Sequence, residues 1–489
     1  MSAPRGITRQ LARPGAALFA FVLIAYAYFY QAGGWNQNSR FDLTRAIVER
    51  GTASIDAYHW NTGDKARVDG HYYCEKAPGV SWLAVPAHAA WTAVAGAAPT
   101  PDRIDDAAYV STLWAVALPA ALAVPLLLWL LGMLGCPPGA SLIATAAYAL
   151  ATLAWPHATL FYGQQPSATL SLAGFALAVA AALGRLPARR ALVAAGAALG
   201  ASVMADYPAA LCAIAVAVYA AVRCRRRVGW LVLGGALPVA LLAAYHASVF
   251  GGPLHLPYEH SLMRYRHQGF FMGLGRPDAV VLFNILVSPF RGLLFSAPWL
   301  LLAVPGAVRM WRTHRAEAAL CAAVPLLYLW MNGSMVDPYG GWAVGPRFLV
   351  PALPFAAALA GFALVPPASR RVGRVLAGGA AALIAYSALM MLAATAVKPE
   401  LPVAIAYPFG DLLLPSLAGG QLAINQQGID MAAWALDGPP RAWNLGQLLG
   451  LDGLASLAPL GAAAALAGLW LARGWRLRSR EISATRPPG

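Results

Sequence analysis

The sequence predicts an all-α membrane protein of about twelve transmembrane helices with a large first outer loop, and three observations predict it. Of its 489 residues 59% are hydrophobic and only 11% charged, with mean hydropathy +0.58. A soluble domain carries about 25% charged residues, so this chain lacks the polar surface to face water all round. Runs of about 20 apolar residues recur along its whole length, each long enough to cross a hydrocarbon core of about 30 Å. The basic residues fall in short clusters between those runs, where the determinants of membrane topology sit. That distribution gives the net charge of +15 a topological meaning and argues against nucleic acid as a partner.

The first element is a basic start, Met1 to Arg13, followed by an apolar run without a small-residue cleavage site. It reads as a retained first span rather than a cleaved signal peptide. Spans are expected near 15–31 (this first one), 108–134, 140–156, 167–184, 191–205, 208–222, 228–249, 291–308, 316–331, 348–366, 375–396 and 454–472. Arginine clusters lie around Arg9, Arg189, Arg226, Arg312, Arg371 and Arg476. If all are cytoplasmic, an even number of crossings separates each from the next, and both termini lie in the cytoplasm. The apolar run Val80 to Ala97 breaks that parity if counted as a span. It also carries Pro86 and His88, so it is placed at the outer surface or re-entrant. The chain is thus one polytopic domain, 1–489, with outer loops at 32–107, 250–290, 332–347 and 397–453. All three lysines, Lys65, Lys76 and Lys398, fall on the outer side. The cytoplasmic turns are too short for an ATPase or kinase domain, and no Walker loop or dinucleotide fingerprint occurs. The five cysteines, Cys74, Cys136, Cys212, Cys224 and Cys321, show neither disulfide nor zinc spacing.

Chemistry concentrates in the first outer loop. From Arg40 to Lys76 twelve of 37 residues are charged. Asn38 or Ser39 is expected to cap a short helix that Gly51 stops. Leu43 and Ile47 form its apolar stripe, while Asp42, Arg45 and Glu49 share another face. The pattern fits a helix lying along the outer interface with its polar side in water. Arg45, Glu49 and Arg50 read as charges that solvate that helix. Arg40 and Asp42, within two turns of the first span, are placed to meet a substrate whose tail lies in the bilayer. Beyond them Gly63, Gly70 and Pro78-Gly79 punctuate a constrained loop. His71, Tyr72 and Tyr73 offer aromatic faces for a sugar ring or an interfacial anchor, and Lys65 and Lys76 offer point charges. A divalent metal at His59, His71 and the nearby aspartates is possible, without diagnostic spacing. Asp206, at an Asp-Tyr-Pro break between two short spans, sits at an outer turn, where a helix cap is expected.

These segments resemble the GT-C superfamily of integral-membrane glycosyltransferases, which includes protein O-mannosyltransferases and the aminoarabinose transferases of lipid A. In that family the first outer loop carries an acidic pair, an Arg-aromatic step, a helix ending in Gly, and a Tyr…Lys-Pro-Pro stretch. Arg40-Phe41, Arg50-Gly51 and Tyr73-Cys74-Glu75-Lys76-Ala77-Pro78 match the last three. Gly340-Gly341-Trp342-Ala343-Val344-Gly345-Pro346-Arg347-Phe348 and Ser288-Pro289-Phe290-Arg291-Gly292 resemble further stretches of bacterial members. Where the acidic pair belongs, this chain has Gln37 and Asn38, and an amide cannot serve as a general base. The resemblance implies transfer of a sugar from a polyprenyl-phosphate carrier to a glycan, lipid or protein acceptor at the outer face of a bacterial inner membrane. It leaves the carboxylate to come from elsewhere: Asp42 first, then Asp56 and Asp64. Lys76, Arg40 and Arg347 are the cations expected to meet the departing phosphate, with Arg264, Arg266 and Arg291 behind them. Tyr258, Glu259 and His260 are placed to touch an acceptor. Two rival readings are a transporter or flippase for a lipid-linked sugar, which would favour repeated halves and broken mid-membrane helices, and a non-catalytic assembly protein of the cell envelope.

Overall fold

The computed structural model describes residues 5–31, 33–95, 101–366, 369–424 and 442–484. Parts of the first outer loop (32 and 96–100) and the middle of the last (425–441) lie outside the described residues. The chain is a multi-pass, all-α membrane protein. Among the described residues seven helices are long and apolar enough, by length and composition, to cross a membrane: Asp106–Met133, Gln164–Ala182, Ala188–Ala205, Tyr207–Phe250, Arg315–Gly333, Arg370–Val397 and Gly453–Arg473. The 44-residue stretch Tyr207–Phe250 is interrupted at Arg225, whose φ of 50° cannot continue a helix. Shorter apolar helices fill the gaps, among them Arg13–Ala27, Pro138–Leu150 and Arg347–Ala363. The expected span at 291–308 is not one helix. It is broken into Leu293–Ser296, Pro298–Leu302 and Ala303–Trp311, with Pro298 removing a backbone donor at the break.

The helix Gln164–Ala182 lies at the centre, with 78% of its apolar window buried, whereas Gly453–Arg473 buries only 11%. Outer helices therefore present large apolar side chains such as Val232, Leu237 and Leu466, each about two-thirds exposed. A surface of that kind is stable against lipid and not against water. Small residues bring helix backbones together: a Cβ on Gly196 would overlap the Leu231 carbonyl, and one on Gly234 the Val193 carbonyl. That is how transmembrane helices gain packing without a hydrophobic drive between them.

Two short antiparallel ladders complete the fold among the described residues. Phe29–Gln31 pairs with Ala442–Asn444 and ties the end of the first helix to the C-terminal part of the chain. Lys65–Val68 pairs with His71–Cys74 around a turn in which Asp69 and Gly70 both have positive φ, 48° and 90°. That turn geometry matches the strand twist. The sequence predicts a loop here, because four-residue strands carry too little alternation to show; the structure pairs them instead.

The outer-loop helix spans Trp35–Arg50 and begins at Gly34, earlier than Asn38 or Ser39; Gly51 closes it with φ 66°. It does not lie along an interface with a wet face. Ten of its residues, from Asn36 to Ala46, are buried, because the hairpin covers one side and the helix Gly79–Ala95 the other. Thr44 donates to the Ser81 carbonyl and Ser81 to the Arg40 carbonyl, which locks the two helices together. The helix Gly79–Ala95 takes in the run expected at the outer surface as far as Ala95, with 96–97 outside the described residues, and it is not among the seven candidate spans.

Candidate active site

Gly34 and the first two turns of the helix Trp35–Arg50 place Trp35, Asn36 and Arg40 at the mouths of two adjoining cavities. The larger, about 500 Å³, is lined by Trp35, Asp64, Tyr162, Trp342 and Glu400, with Gly340 and Gly341 at its rim. The smaller, about 290 Å³, is lined by Arg40, Lys76, Asp206 and Arg266, and by apolar Leu211, Phe271, Leu274, Met331 and Met335. Asn36, Tyr265, Asp337 and Arg347 line both, so the two form one continuous site with unlike halves.

Buried charges of both signs surround the junction. Arg347 enters on the turn Arg347–Ala352 and lies 5.0 Å from the Tyr162 ring centre; its buried Nε has no hydrogen-bond partner among the described residues. Arg40 is anchored by Asn36 Oδ1 at 3.1 Å and by the Ala77 and Ala205 carbonyls at 2.8 and 3.3 Å. Its Nη2 lies 3.7 Å from Asp206 Oδ1. Asp206 Oδ2 is buried and unpartnered among the described residues, and the residue makes no side-chain cap. The expected cap is thus corrected: Asp206 is a charge partner of Arg40. Lys76 Nζ bridges Asp64 Oδ2 at 3.0 Å and Glu75 Oε1 at 2.6 Å. Glu75 in turn accepts from the Ser261 hydroxyl and stands 3.9 Å from Arg266 Nε. Burial would raise the Asp64 carboxyl, but Lys76 and Arg347 outweigh it and hold it below its usual range. Burial would likewise lower the Lys76 ammonium, and Asp64 and Glu75 instead hold it above its usual value.

Of the residues singled out in the sequence, Arg40, Asp64, Lys76 and Arg347 are brought together here, along with Arg266 and Tyr258. Asp42 is fully buried, accepts from Asn61 Nδ2 at 3.2 Å and lines neither cavity. Asp56 sits on the hairpin side, where its Oδ1 accepts from the Tyr72 amide and its Oδ2 pairs with His71 Nδ1, both at 2.6 Å. Lys65 donates to the His59 carbonyl at 2.7 Å. Tyr72 stacks on the His59 ring at 3.9 Å, and Tyr73 packs edge-on against Phe250 at 6.1 Å. Asp56, Lys65, His71, Tyr72 and Tyr73 line neither cavity. Among the described residues no group of three or more His, Cys, Asp or Glu side chains comes together to hold a metal ion.

Among the side chains of the site that the sequence did not single out are Trp35, Asn36, Tyr162, Tyr265, Asp337 and Glu400. Glu400 follows Lys398 just past the helix Arg370–Val397. Its carboxylate accepts from Gln37 Nε2 at 3.0 Å and from the Tyr162 hydroxyl. An acidic residue beside a rare outer lysine at the end of an apolar helix is the one signal that could have found it. The amide at position 37 therefore faces a carboxylate delivered by a distant segment.

No protein-family model and no curated protein matches the chain. Solved structures do. ArnT from Cupriavidus metallidurans in the apo state superimposes with TM-score 0.51 at 17% identity, covering 94% of this chain and 74% of that one. The same protein bound to undecaprenyl phosphate gives 0.48 at 16%, covering 97% and 76%. The oligosaccharyltransferase AglB from Archaeoglobus fulgidus, in complex with an inhibitory peptide and a dolichol-phosphate, gives 0.48 at 12%, covering 79% and 56%. The apo ArnT likeness shows the fold: the chain has the overall architecture of that membrane protein.

Proposed function

We propose, from this fold and the paired cavities, that the chain is a membrane glycosyltransferase. It moves a sugar from a polyprenyl-phosphate donor to an acceptor at the outer face of a bacterial inner membrane, with both termini in the cytoplasm. One observation supports the reading: a cavity lined by four cations, Arg40, Lys76, Arg266 and Arg347, against two carboxylates, Asp206 and Asp337, with a largely apolar remainder. That combination fits a phosphate on a hydrocarbon tail better than a soluble nucleotide sugar. Undecaprenyl phosphate, the lipid bound to ArnT, belongs to the same chemical class.

In the transfer, the bond between the sugar's anomeric carbon and the carrier phosphate breaks, and its electron pair stays on the phosphate. An acceptor oxygen forms the new bond to that carbon and gives up its proton. Fixed cations stabilise charge where it accumulates on the leaving phosphate, and Arg347, with an unpartnered Nε at the junction, is the best placed. Asp64 is occupied by Lys76 and serves to hold that lysine.

The test is binding of undecaprenyl phosphate to the purified protein, with undecaprenol as control. A charge-assisted hydrogen bond is worth about 1.5–3 kcal/mol, or roughly tenfold to a hundredfold in affinity. Arg347→Gln is therefore expected to weaken phosphate binding by at least about tenfold and to leave undecaprenol binding unchanged. Equal affinity of the wild type for both lipids would overturn the reading.

A further inference from the structure

We infer that Glu400 is the general base of the transfer, taking the acceptor hydroxyl's proton in the larger cavity. The inference deepens the transferase reading above and rests on it. The other acidic groups of the site are placed for different work. Asp64 is ion-paired with Lys76 at 3.0 Å. Asp206 lies in the cationic cavity beside Arg40, and Asp337 straddles both cavities. Glu400 and Asp337 both line the larger cavity without a cation at ion-pair distance among the described residues, but Asp337 is half-buried, whereas Glu400 is buried and its carboxylate is held by two side-chain donors.

Its position is fixed from every side. The Pro399 carbonyl accepts from the Val344 amide at 2.9 Å, the Glu400 amide donates to Gln31 Oε1 at 3.4 Å, and the Leu401 carbonyl accepts from Arg291 Nη2 at 2.8 Å. On the side chain, the Tyr162 hydroxyl donates to one oxygen and Gln37 Nε2 to the other. An ionised carboxylate has about four acceptor sites, so two remain for an incoming hydroxyl. Close approach to the helix start is possible only because residue 34 is glycine: a Cβ there would fall inside the Glu400 carboxylate. Burial also lifts the Glu400 carboxyl above its usual range, against the Tyr162 hydrogen bond and the Lys398 charge, and a carboxylate of higher pKa is the stronger base. The step balances. The acceptor O–H proton goes to Glu400, the acceptor oxygen bonds the anomeric carbon, and the carrier phosphate leaves with the electron pair of the broken bond.

The experiment compares a deletion strain complemented with wild type, Glu400→Gln or Gly34→Ala. It reads cell-envelope glycans by mass spectrometry, and undecaprenyl phosphate binding and thermal unfolding on each purified protein. General-base removal costs about 10²–10⁴-fold. Glu400→Gln is expected to lower the glycan product by at least about a hundredfold while binding undecaprenyl phosphate within about twofold of wild type. Gly34→Ala, which keeps the carboxylate but displaces it, is expected to do the same and decides the matter if Glu400→Gln does not fold. Near-wild-type product from either folded variant overturns the assignment, and so does loss of phosphate binding in step with activity. A deletion strain whose glycans match its parent's removes the transferase reading itself.

Discussion

Lys76 is clamped between Asp64 and Glu75, and the clamp separates charges that build the site from charges that merely decorate the outer loop. Replacing Asp64 by Asn leaves the buried ammonium with one carboxylate. It is expected to lower stability by about 1–3 kcal/mol, read as a lower unfolding midpoint, and to disturb undecaprenyl phosphate binding. Asp56 looks equivalent in the sequence, yet its side chain is 42% exposed and its partner His71 62% exposed. Asp56→Asn is expected to change stability by no more than about 1 kcal/mol and to leave lipid binding as in wild type. A folded Asp56→Asn protein that no longer binds the lipid would put the hairpin in the site. At this scale Arg40, Lys76, Asp64 and Arg347 were legible, because charge is rare in this chain and their segments follow a known pattern. Glu400 was not: its contact with Gln37 spans 363 residues, and no local pattern in one sequence announces such a pairing.

The helix Trp35–Arg50 shows what periodicity can and cannot give. Its C-terminal stop at Gly51 was readable from the residue that tolerates positive φ. Its burial was not, because a stripe of polar residues is read as a wet face, whereas here each finds a protein partner. Asn38 donates to the Asn61 carbonyl at 2.7 Å, and the Tyr58 hydroxyl to Glu49 at 2.7 Å. Arg45, expected to solvate a surface helix, is 5% exposed and stacks over the Tyr58 ring at 4.0 Å. Glu49 ties this helix to the helix Gly79–Ala95 through His88 Nε2 at 2.9 Å. Burial alone would raise the Glu49 carboxyl, but hydrogen bonds from His88 and Tyr58 and the Arg45 charge outweigh it and bring it to about 2. A folded-state pKa depressed below the usual 4.5 contributes stability that is complete above that value and is lost as pH falls through the folded one. The unfolding midpoint of Glu49→Gln is therefore expected to lie below wild type at neutral pH. The gap should narrow between pH 4.5 and about 2, where wild-type Glu49 also becomes neutral. A gap independent of pH across that window would show that the carboxylate's charge contributes nothing.

For the whole molecule, the sequence reading rests on one physical bias, arginine retained on the cytoplasmic side. If the bias holds, the hairpin and both cavities face outside. Short ladders, the broken segment around Pro298 and the pairing of Phe29–Gln31 with Ala442–Asn444 were invisible to it, since each depends on contacts far apart in the chain. The orientation can be tested where the structure exposes side chains on opposite faces. Arg67 is exposed on the hairpin and Arg185 on the turn after the helix Gln164–Ala182. Four of the five native cysteines are buried, and the half-buried Cys224 adjoins Arg225–Arg227, so background labelling is confined to one site. In intact cells a membrane-impermeant maleimide is expected to label Arg67→Cys and to spare Arg185→Cys and Cys224 until the membrane is permeabilised. Labelling of Arg185→Cys first, with Arg67→Cys protected, would invert the protein. The cationic cavity would then face the cytoplasm, and a donor on the outer leaflet could not reach Arg347.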